Sequence, residues 1–398
     1  PIKNYEQWLQ AQHVLSDADI TSIRNEFKTY IETELQQAYK AEALVPDTEE
    51  ELHDVYAPKQ PVAGVTLLDS AIPHHLNGPE KRFIDGIKEG LHQSMAKHSN
   101  LVLMGQDIAE YGGAFKITEG FVNEFGKTRV RNTPLCESAI VGTALGLSLE
   151  GYKSMMEMQF ADFVTVGFNQ IINNLAKIHY RWGQPADVVI RMPTGGGVGA
   201  GPFHSQSNEA WFVKTPGLKV VYPSTPMDAK GLLIAALNDP NPVIYFEHKA
   251  LYRSISGPVP ETYFETEIGK ARLVQEGEDI TIITYGAAVH WATDYAKNNP
   301  RLSLHILDLR TLLPLDYDAI KEAVQQTGKV IILHEDTLIG GIGGEVAAWI
   351  AEHCFRYLDA PVMRCASLDT PVPFNLDLEK NFMAYSRLGQ VADQLMAY

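Results

Sequence analysis

Glu137 is the residue of this 398-residue chain whose setting most suggests acid–base chemistry. It ends the string TPLCE, between a β-like run, RVRNTP, and a helix of small and apolar residues from about Ser138 to Glu150. A carboxyl group there would sit near a helix N-terminus, partly out of water, where it could exchange a proton with a ligand. A first-turn carboxylate that merely complements the helix dipole is the plainer reading, and position alone favours it. The second feature is TGGGVGAG at 194–201, whose glycines would let backbone amides approach an anion. It lacks the Lys-Ser/Thr of a P-loop, and Pro202 with Phe203 interrupts passage into a helix, so neither phosphate fingerprint is met. The loop does lead into His204-Ser205-Gln206-Ser207. A histidine beyond a glycine turn could move protons near neutrality, although a lone histidine is more often a packing or surface residue. Ser205 has no nucleophile-elbow sequence around it. No two-His zinc helix is present.

Such residues need a scaffold, and in open parallel sheets ligands bind beyond the carboxyl ends of the strands. After Pro79, short β-rich runs alternate with helices: 101–104, RVRNTP, MMEMQF, DVVIRM, LKVVYP and VIYFEH. One helix runs through Phe83, Ile84, Ile87 and Leu91. Another opens with Thr225 as cap, Pro226 in its first position and Asp228 in its first turn. This alternation specifies an α/β fold with a mostly parallel, doubly wound sheet over residues 80–255. Gly142 and Gly146, four residues apart, are expected to pack their helix closely on that sheet. A second series, ITIITYG, LHILDL, KVIILHE and VMRC, predicts a smaller α/β domain over 256–398, with 251–267 as the connector.

Upstream, 58–79 reads as an irregular linker with adjacent His74 and His75, which point apart more often than they share a metal. Residues 1–57 carry one strong helix signal, with Ser16 as cap, Asp19 in the first turn and Ile20, Ile23, Phe27, Tyr30, Ile31 and Leu35 as a stripe ended by Pro46. Such a helix cannot build a core alone and must pack on another body of protein.

Composition bounds the rest. An apolar content of 45% suits a folded two-domain protein, and a net charge of −16 repels nucleic acid and anionic lipid while suiting a basic partner. Cys136, Cys354 and Cys365 are odd in number and far apart, which fits free thiols in a reducing compartment. With no membrane-length apolar run and no signal peptide, a cytoplasmic location is expected. Without an initiator Met, the chain reads as a piece of something longer.

Six strings make the reading specific: TPLCE, EMQFADF at 157–163, HSQSNEAWF at 204–212, PGLKVVYPSTPMDAKGLL at 216–233, DLRTLLPLD at 308–316 and HEDTLIGGIGGE at 334–345. In this order they resemble the beta subunits of branched-chain 2-oxo acid dehydrogenases, the 2-oxoisovalerate enzymes, from about Phe83 onward. They are slightly less similar to those of pyruvate dehydrogenases. Residues 1–57 look like the end of the matching alpha subunit, which closes on a Val-Tyr pair, here Val55-Tyr56, so the resemblance implies an alpha–beta fusion.

The resemblance implies a transketolase-like pyrimidine domain and C-terminal domain, binding thiamine diphosphate for oxidative decarboxylation. Glu137 would contact the aminopyrimidine ring of the cofactor. Gln159 and Phe163 would line its pocket, Phe163 at a position where branched-chain enzymes also carry Tyr. His204 would supply a proton as the acyl group passes to a lipoyl group. Magnesium would be held by the alpha portion, because a GDG followed by paired Asn is absent here. The Asn238-Asp239-Pro240-Asn241 turn falls where potassium ligands occur, so Asp239 and Asn241 would lie beside that ion, although ordinary turn chemistry explains them equally well. Expected partners are the alpha domain, a second copy in a homodimer or heterotetramer-like assembly, and the lipoyl acyltransferase core. Two other readings stay open: a non-catalytic assembly subunit of the same fold, against which the retained Glu137 and His204 speak, and transketolase or deoxyxylulose-phosphate synthase chemistry, which lacks a basic cluster for sugar phosphates here.

Overall fold

The apolar runs beyond residue 100 become strands of two sheets in the computed structural model, which describes residues 1–68 and 78–398. His74 and His75 lie outside the described residues. The first sheet holds β1 (Leu101–Gly105), β2 (Val130–Asn132), β3 (Lys153–Glu157), β4 (Val188–Thr194), β5 (Lys219–Val221) and β6 (Val243–His248), in the order β2-β1-β3-β4-β6-β5 and all parallel. Side chains alternate across it, as strand geometry requires. Leu101, Leu103, Met155 and Val189 meet a helix α1 (Phe83–Lys97) on one face, where Phe83, Ile87 and Leu91 are fully buried. On the other face Val102, Met104, Met156 and Ile190 meet α2 (Glu137–Leu149) through Ile140, Val141 and Ala144. Covered on both sides, these strands read as unbroken apolar runs rather than as alternating ones.

Gly142 and Gly146 do not mediate that packing. A Cβ at Gly142 would touch only the Gln170 side chain, at 3.8 Å, and one at Gly146 would touch nothing. The stripe that faces the sheet is Ile140, Val141, Ala144 and Ser148, so the glycines fall on the opposite side of the 3.6-residue helix. Close approach occurs instead at Gly167, whose added Cβ would lie 3.3 Å from the Glu137 carbonyl.

The second series gives β7 (Arg272–Gln275), β8 (Ile280–Thr284), β9 (Leu304–Asp308), β10 (Thr311–Leu313), β11 (Val330–Thr337) and β12 (Met363–Ser367). Their sheet runs β7-β9-β8-β11-β12, parallel except for β7, which sequence patterning did not mark as a strand. β10 is not in it. Thr311 and Leu313 pair antiparallel with β5, so the second domain lends the first sheet its seventh strand. The connector is ordered too: Ser256–Pro258 pairs with Glu80–Arg82, and Phe264–Thr266 with Thr66–Leu68. One core carries Ile190 and Phe246 of the first sheet together with Ile283, Leu307 and Ile332 of the second.

The residues divide into two units, 1–52 and 53–398. In the first, the helix Asp17–Lys40 starts at the expected Ser16 cap, which closes a capping box: Ser16 Oγ accepts from the Asp19 amide at 3.2 Å, and Asp19 accepts from the Ser16 amide at 2.8 Å. It ends at Lys40, ahead of Pro46. Ile23, Phe27, Tyr30, Ile31 and Leu35 are all exposed, and no residue of the helix is buried. In the second unit, Asn241 clips the chain at Ala57, accepting from its amide at 2.7 Å and donating to its carbonyl at 2.9 Å. Among the described residues, no helix is long and apolar enough to cross a membrane.

Candidate active site

The chain leaves β1 for β2 on one side and later returns to β3 on the other, so the strand order reverses at β1. In open α/β sheets a ligand crevice is expected beyond the carboxyl ends of the strands at such a reversal, here β1 and β3. Gln106 and Asp107 follow β1 directly, Glu137 follows β2, and Gln159 follows β3. Glu137 is the first residue of α2 and is only 8% exposed. Gln106 Nε2 donates to its Oε1 at 2.9 Å. The Thr133 amide donates to the Gly105 carbonyl at 3.0 Å, which holds the TPLCE segment against the end of β1.

Two polar atoms on the segments that lead to this carboxylate are buried without a partner among the described residues: Gln106 Oε1 and Thr133 Oγ1. A buried acceptor left unsatisfied costs about 1–3 kcal/mol, so the site is better completed by a ligand that brings N–H donors. An aminopyrimidine has that chemistry, and the residues present fit it. Asp107, at φ 57°, holds a left-handed backbone conformation uncommon for a residue with a side chain. It accepts from Gln159 Nε2 at 3.4 Å, joining the ends of β1 and β3.

His204 sits at the mouth of an aromatic corner. Its ring meets Phe160 edge-on at 4.8 Å between centroids and Phe163 at 5.5 Å. Asp162, between those two residues, accepts from the Gln206 amide at 3.1 Å and from Gln206 Nε2 at 2.9 Å. Asn208 Nδ2 donates to the Ala161 carbonyl at 3.0 Å. Three of the expected site residues therefore fall on two segments stitched together by hydrogen bonds, apart from Glu137 on α2. Gln159 and Phe163 share the first, and His204 stands on the second.

The glycine loop behaves differently from a phosphate loop. Gly195, Gly197, Gly199 and Gly201 all have positive φ, 86°, 78°, 68° and 71°, alternating with residues that do not. Such alternation turns successive amides toward one concave side and makes an anion nest. The anions are the protein's own carboxylates. Gly196 N donates to Glu335 Oε1 at 2.6 Å, Gly197 N to Glu379 Oε1 at 2.9 Å, and Gly199 N to Glu379 Oε2 at 3.0 Å. Glu335 also meets His248 Nε2 at 2.5 Å and Ser207 Oγ at 3.2 Å. Burial works to raise the Glu335 carboxyl, but His248, the Gly196 amide and Lys249 outweigh it and hold the group below its ordinary value. Burial pushes Lys249 down to about 8, against the pull of Asp162, Glu335 and Glu379.

Within the sheet near these strand ends, Arg191 of β4 is fully buried and bridges Glu157 of β3, at 2.7 Å, and Glu247 of β6. Glu209, beyond the loop, accepts from Tyr285 at 2.6 Å, and burial together with Asp336 pushes its carboxyl up to about 8. Gln106, Asp162, Arg191, Glu335 and Glu379 were not singled out from the sequence. Only Gln106 carried a usable signal, as a polar residue directly after a strand.

Asp239 and Asn241 have structural partners. Lys219 Nζ lies 2.6 Å from Asp239 Oδ2, Asp239 Oδ1 accepts from Asn241 N and Nδ2, and Asn241 Oδ1 takes the Ala57 amide. An ammonium lies on the Asp239 carboxylate, and every side-chain oxygen of the two residues has a protein partner. Among the described residues, no group of three or more His, Cys, Asp or Glu is arranged to hold a metal.

The transketolase pyrimidine-binding domain family matches residues 80–254, and the transketolase C-terminal domain family matches 269–386. The chain is 48% identical over 308 residues to the 2-oxoisovalerate dehydrogenase subunit beta of Bacillus subtilis, covering 76% of this chain and 94% of that protein. It is 44% identical over 306 residues to the mitochondrial 2-oxoisovalerate dehydrogenase subunit beta of Dictyostelium discoideum, covering 75% and 82%. It is also 43% identical over 298 residues to a pyruvate dehydrogenase E1 component subunit beta of Bacillus subtilis, covering 73% and 91%. A solved structure described as a split gene transketolase, inactive beta4 tetramer, superposes with a TM-score of 0.63 at 22% identity over 79% of this chain and 98% of that one, a likeness of fold.

Proposed function

This chain belongs to the family of 2-oxo acid dehydrogenase E1 beta subunits, and from that premise we propose that it supplies the pyrimidine-facing half of a thiamine diphosphate site. The reaction assigned to that site is oxidative decarboxylation of branched-chain 2-oxo acids, with the acyl group passed to a lipoyl arm of an acyltransferase core. The observation that carries this reading is Glu137, buried at the reversal of strand order and aimed by Gln106. When bound, the cofactor supplies the nucleophilic carbon and the electron sink of the decarboxylation. Glu137 exchanges a proton through Oε2, since Oε1 is taken by Gln106, and its burial keeps water from competing for that proton. Phe163 and Gln159 wall the pocket, and His204 delivers a proton from its imidazole at the acyl-transfer step.

Magnesium and the diphosphate are assigned to an alpha partner, because the sequence has no GDG with a following Asn pair. The exposed apolar stripe of the helix Asp17–Lys40 supports reading residues 1–57 as alpha-subunit tail in an alpha–beta fusion. The assembly proposed is a homodimer of such fusions, or its heterotetramer equivalent, in the cytoplasm. No step is assigned to potassium.

Pyruvate is the second reading, favoured by the 43% identity to a pyruvate dehydrogenase beta subunit. Comparing kcat/KM for 3-methyl-2-oxobutanoate and pyruvate on the enzyme assembled with its alpha portion decides between them. A preference for pyruvate would overturn the branched-chain assignment. Failure to decarboxylate either acid would favour a non-catalytic assembly subunit.

A further inference from the structure

We propose that Glu379 and Glu335, carried by the second domain, are positioning residues for His204: their carboxylates fill the amide nest of the 195–201 loop and so set where the imidazole meets the acyl acceptor. This rests on the acyl-transfer reading of His204 given above.

The loop has few ways to hold itself. Four of its residues are glycines in the left-handed region, and a chain that free loses its shape unless something outside it supplies partners. Those partners come from the second domain. Glu379, 2% exposed, takes the Gly197 and Gly199 amides with one oxygen each, and Glu335 takes the Gly196 amide. Beyond His204, Ser207 Oγ donates to the same Glu335 oxygen at 3.2 Å. The span that contains His204 is therefore pinned on both sides by carboxylates from one neighbouring domain.

Packing repeats the pattern. A Cβ at Gly196 would lie 2.4 Å from Met383 Cε, one at Gly199 3.0 Å from Leu376 Cδ2, and one at Gly201 2.5 Å from the Phe374 ring. The glycines are thus pressed against residues 374–383, where a short helix, Leu376–Phe382, presents Glu379. On the opposite side His248 crowds Gly195, and Lys249 Nζ donates to the Gly195 carbonyl at 2.7 Å. Among the described residues, His204 makes no hydrogen bond to either glutamate. It meets Phe160 and Phe163, so the carboxylates act on it through the loop.

Glu379→Gln keeps size but leaves one acceptor where two are needed. In the enzyme assembled with its alpha portion, transfer of the acyl group to a lipoyl domain should fall roughly tenfold to a hundredfold, the scale expected for a misplaced group. Decarboxylation read with an artificial electron acceptor should stay within about twofold of wild type, because Glu137 is untouched. Amide hydrogen exchange at 196–201 should quicken, and formate added to Glu379→Ala should slow it again and recover acyl transfer. Leu376→Ala, on the exposed rim, loosens the same contact without leaving a buried amide unpaired and should give a milder form of both effects. Equal loss of the two activities, or quickened exchange with acyl transfer intact, overturns the proposal. If His204→Ala leaves acyl transfer unchanged, the reading of His204 is what fails, and the exchange and formate results still report on the clamp by themselves.

Discussion

Gln106 donates to Glu137 at 2.9 Å, across the carboxyl ends of adjacent strands and from thirty-one positions earlier in the chain. The bond engages one oxygen of the carboxyl, and the proposed site gives the other to the cofactor. Glu137→Gln keeps shape and a hydrogen bond but loses the acid. Turnover in the assembled enzyme should fall by roughly two to four orders of magnitude, with the melting temperature little changed. Near-wild-type turnover would remove Glu137 from the chemistry.

His204 stands among Phe160 and Phe163 rather than beside a carboxylate. His204→Ala should impair acyl transfer to a lipoyl domain more than decarboxylation read with an artificial acceptor. An equal fall in both assays would move its role to the decarboxylation itself.

Arg191 lies between two buried carboxylates, Glu157 and Glu247. Burial pushes Glu157 up, and the Arg191 charge opposes that push. Arg191→Met leaves both carboxylates without a counter-charge and should cost about 3–5 kcal/mol of stability, as when one partner of a buried pair is removed. Denaturant titration of wild type and variant at neutral pH measures the difference. A change below about 1 kcal/mol would show that the pair is dispensable.

Glu209 sets a pH dependence whose sign can be worked out. Its carboxyl rises from an ordinary 4.5 to about 8 in the folded protein, chiefly through burial and then through Asp336. Between those values the folded state holds a proton that the unfolded state has lost. The contribution is therefore full below about pH 4.5 and is lost as pH rises toward 8. Glu209→Gln, which stays neutral, should gain stability relative to wild type as pH climbs from about 5 to 8. Urea midpoints across that range are the check, and parallel curves would mean that Glu209 is ionised in the folded protein.

Much of the first sheet was legible because its strands are covered on both faces. The apolar stretches 155–156, 188–190 and 243–246 could then be read as strand interiors. Glu137 was legible for a local reason, since its strand–acid–helix setting lies within a few residues. What could not be read depends on partners far away in the chain. Arg191 looks like an interruption in VVIRMP until Glu157 and Glu247 are placed beside it on neighbouring strands. Glu379 belongs to no local pattern at all, and its meaning comes from glycines about 180 positions earlier. The glycine loop was seen but its anion was sought outside the protein. Gly142 and Gly146 misled because a small-residue spacing does not say which side of a helix faces the sheet.

The strand that β10 lends to β5 has a bearing on how this chain could be cut. The sequence runs from first to second domain only once, near 256–268, yet the pairings tie the two domains together on either side of that crossing. A protease that nicks the connector would sever the covalent link without releasing a module, because the fragments would remain clasped through β10 and a common core. Made separately, the first fragment would present β5 as a bare edge, open to pairing with any other strand. The two domains lie in one compact unit, 53–398, and their border is a line in the sequence rather than a seam in the fold.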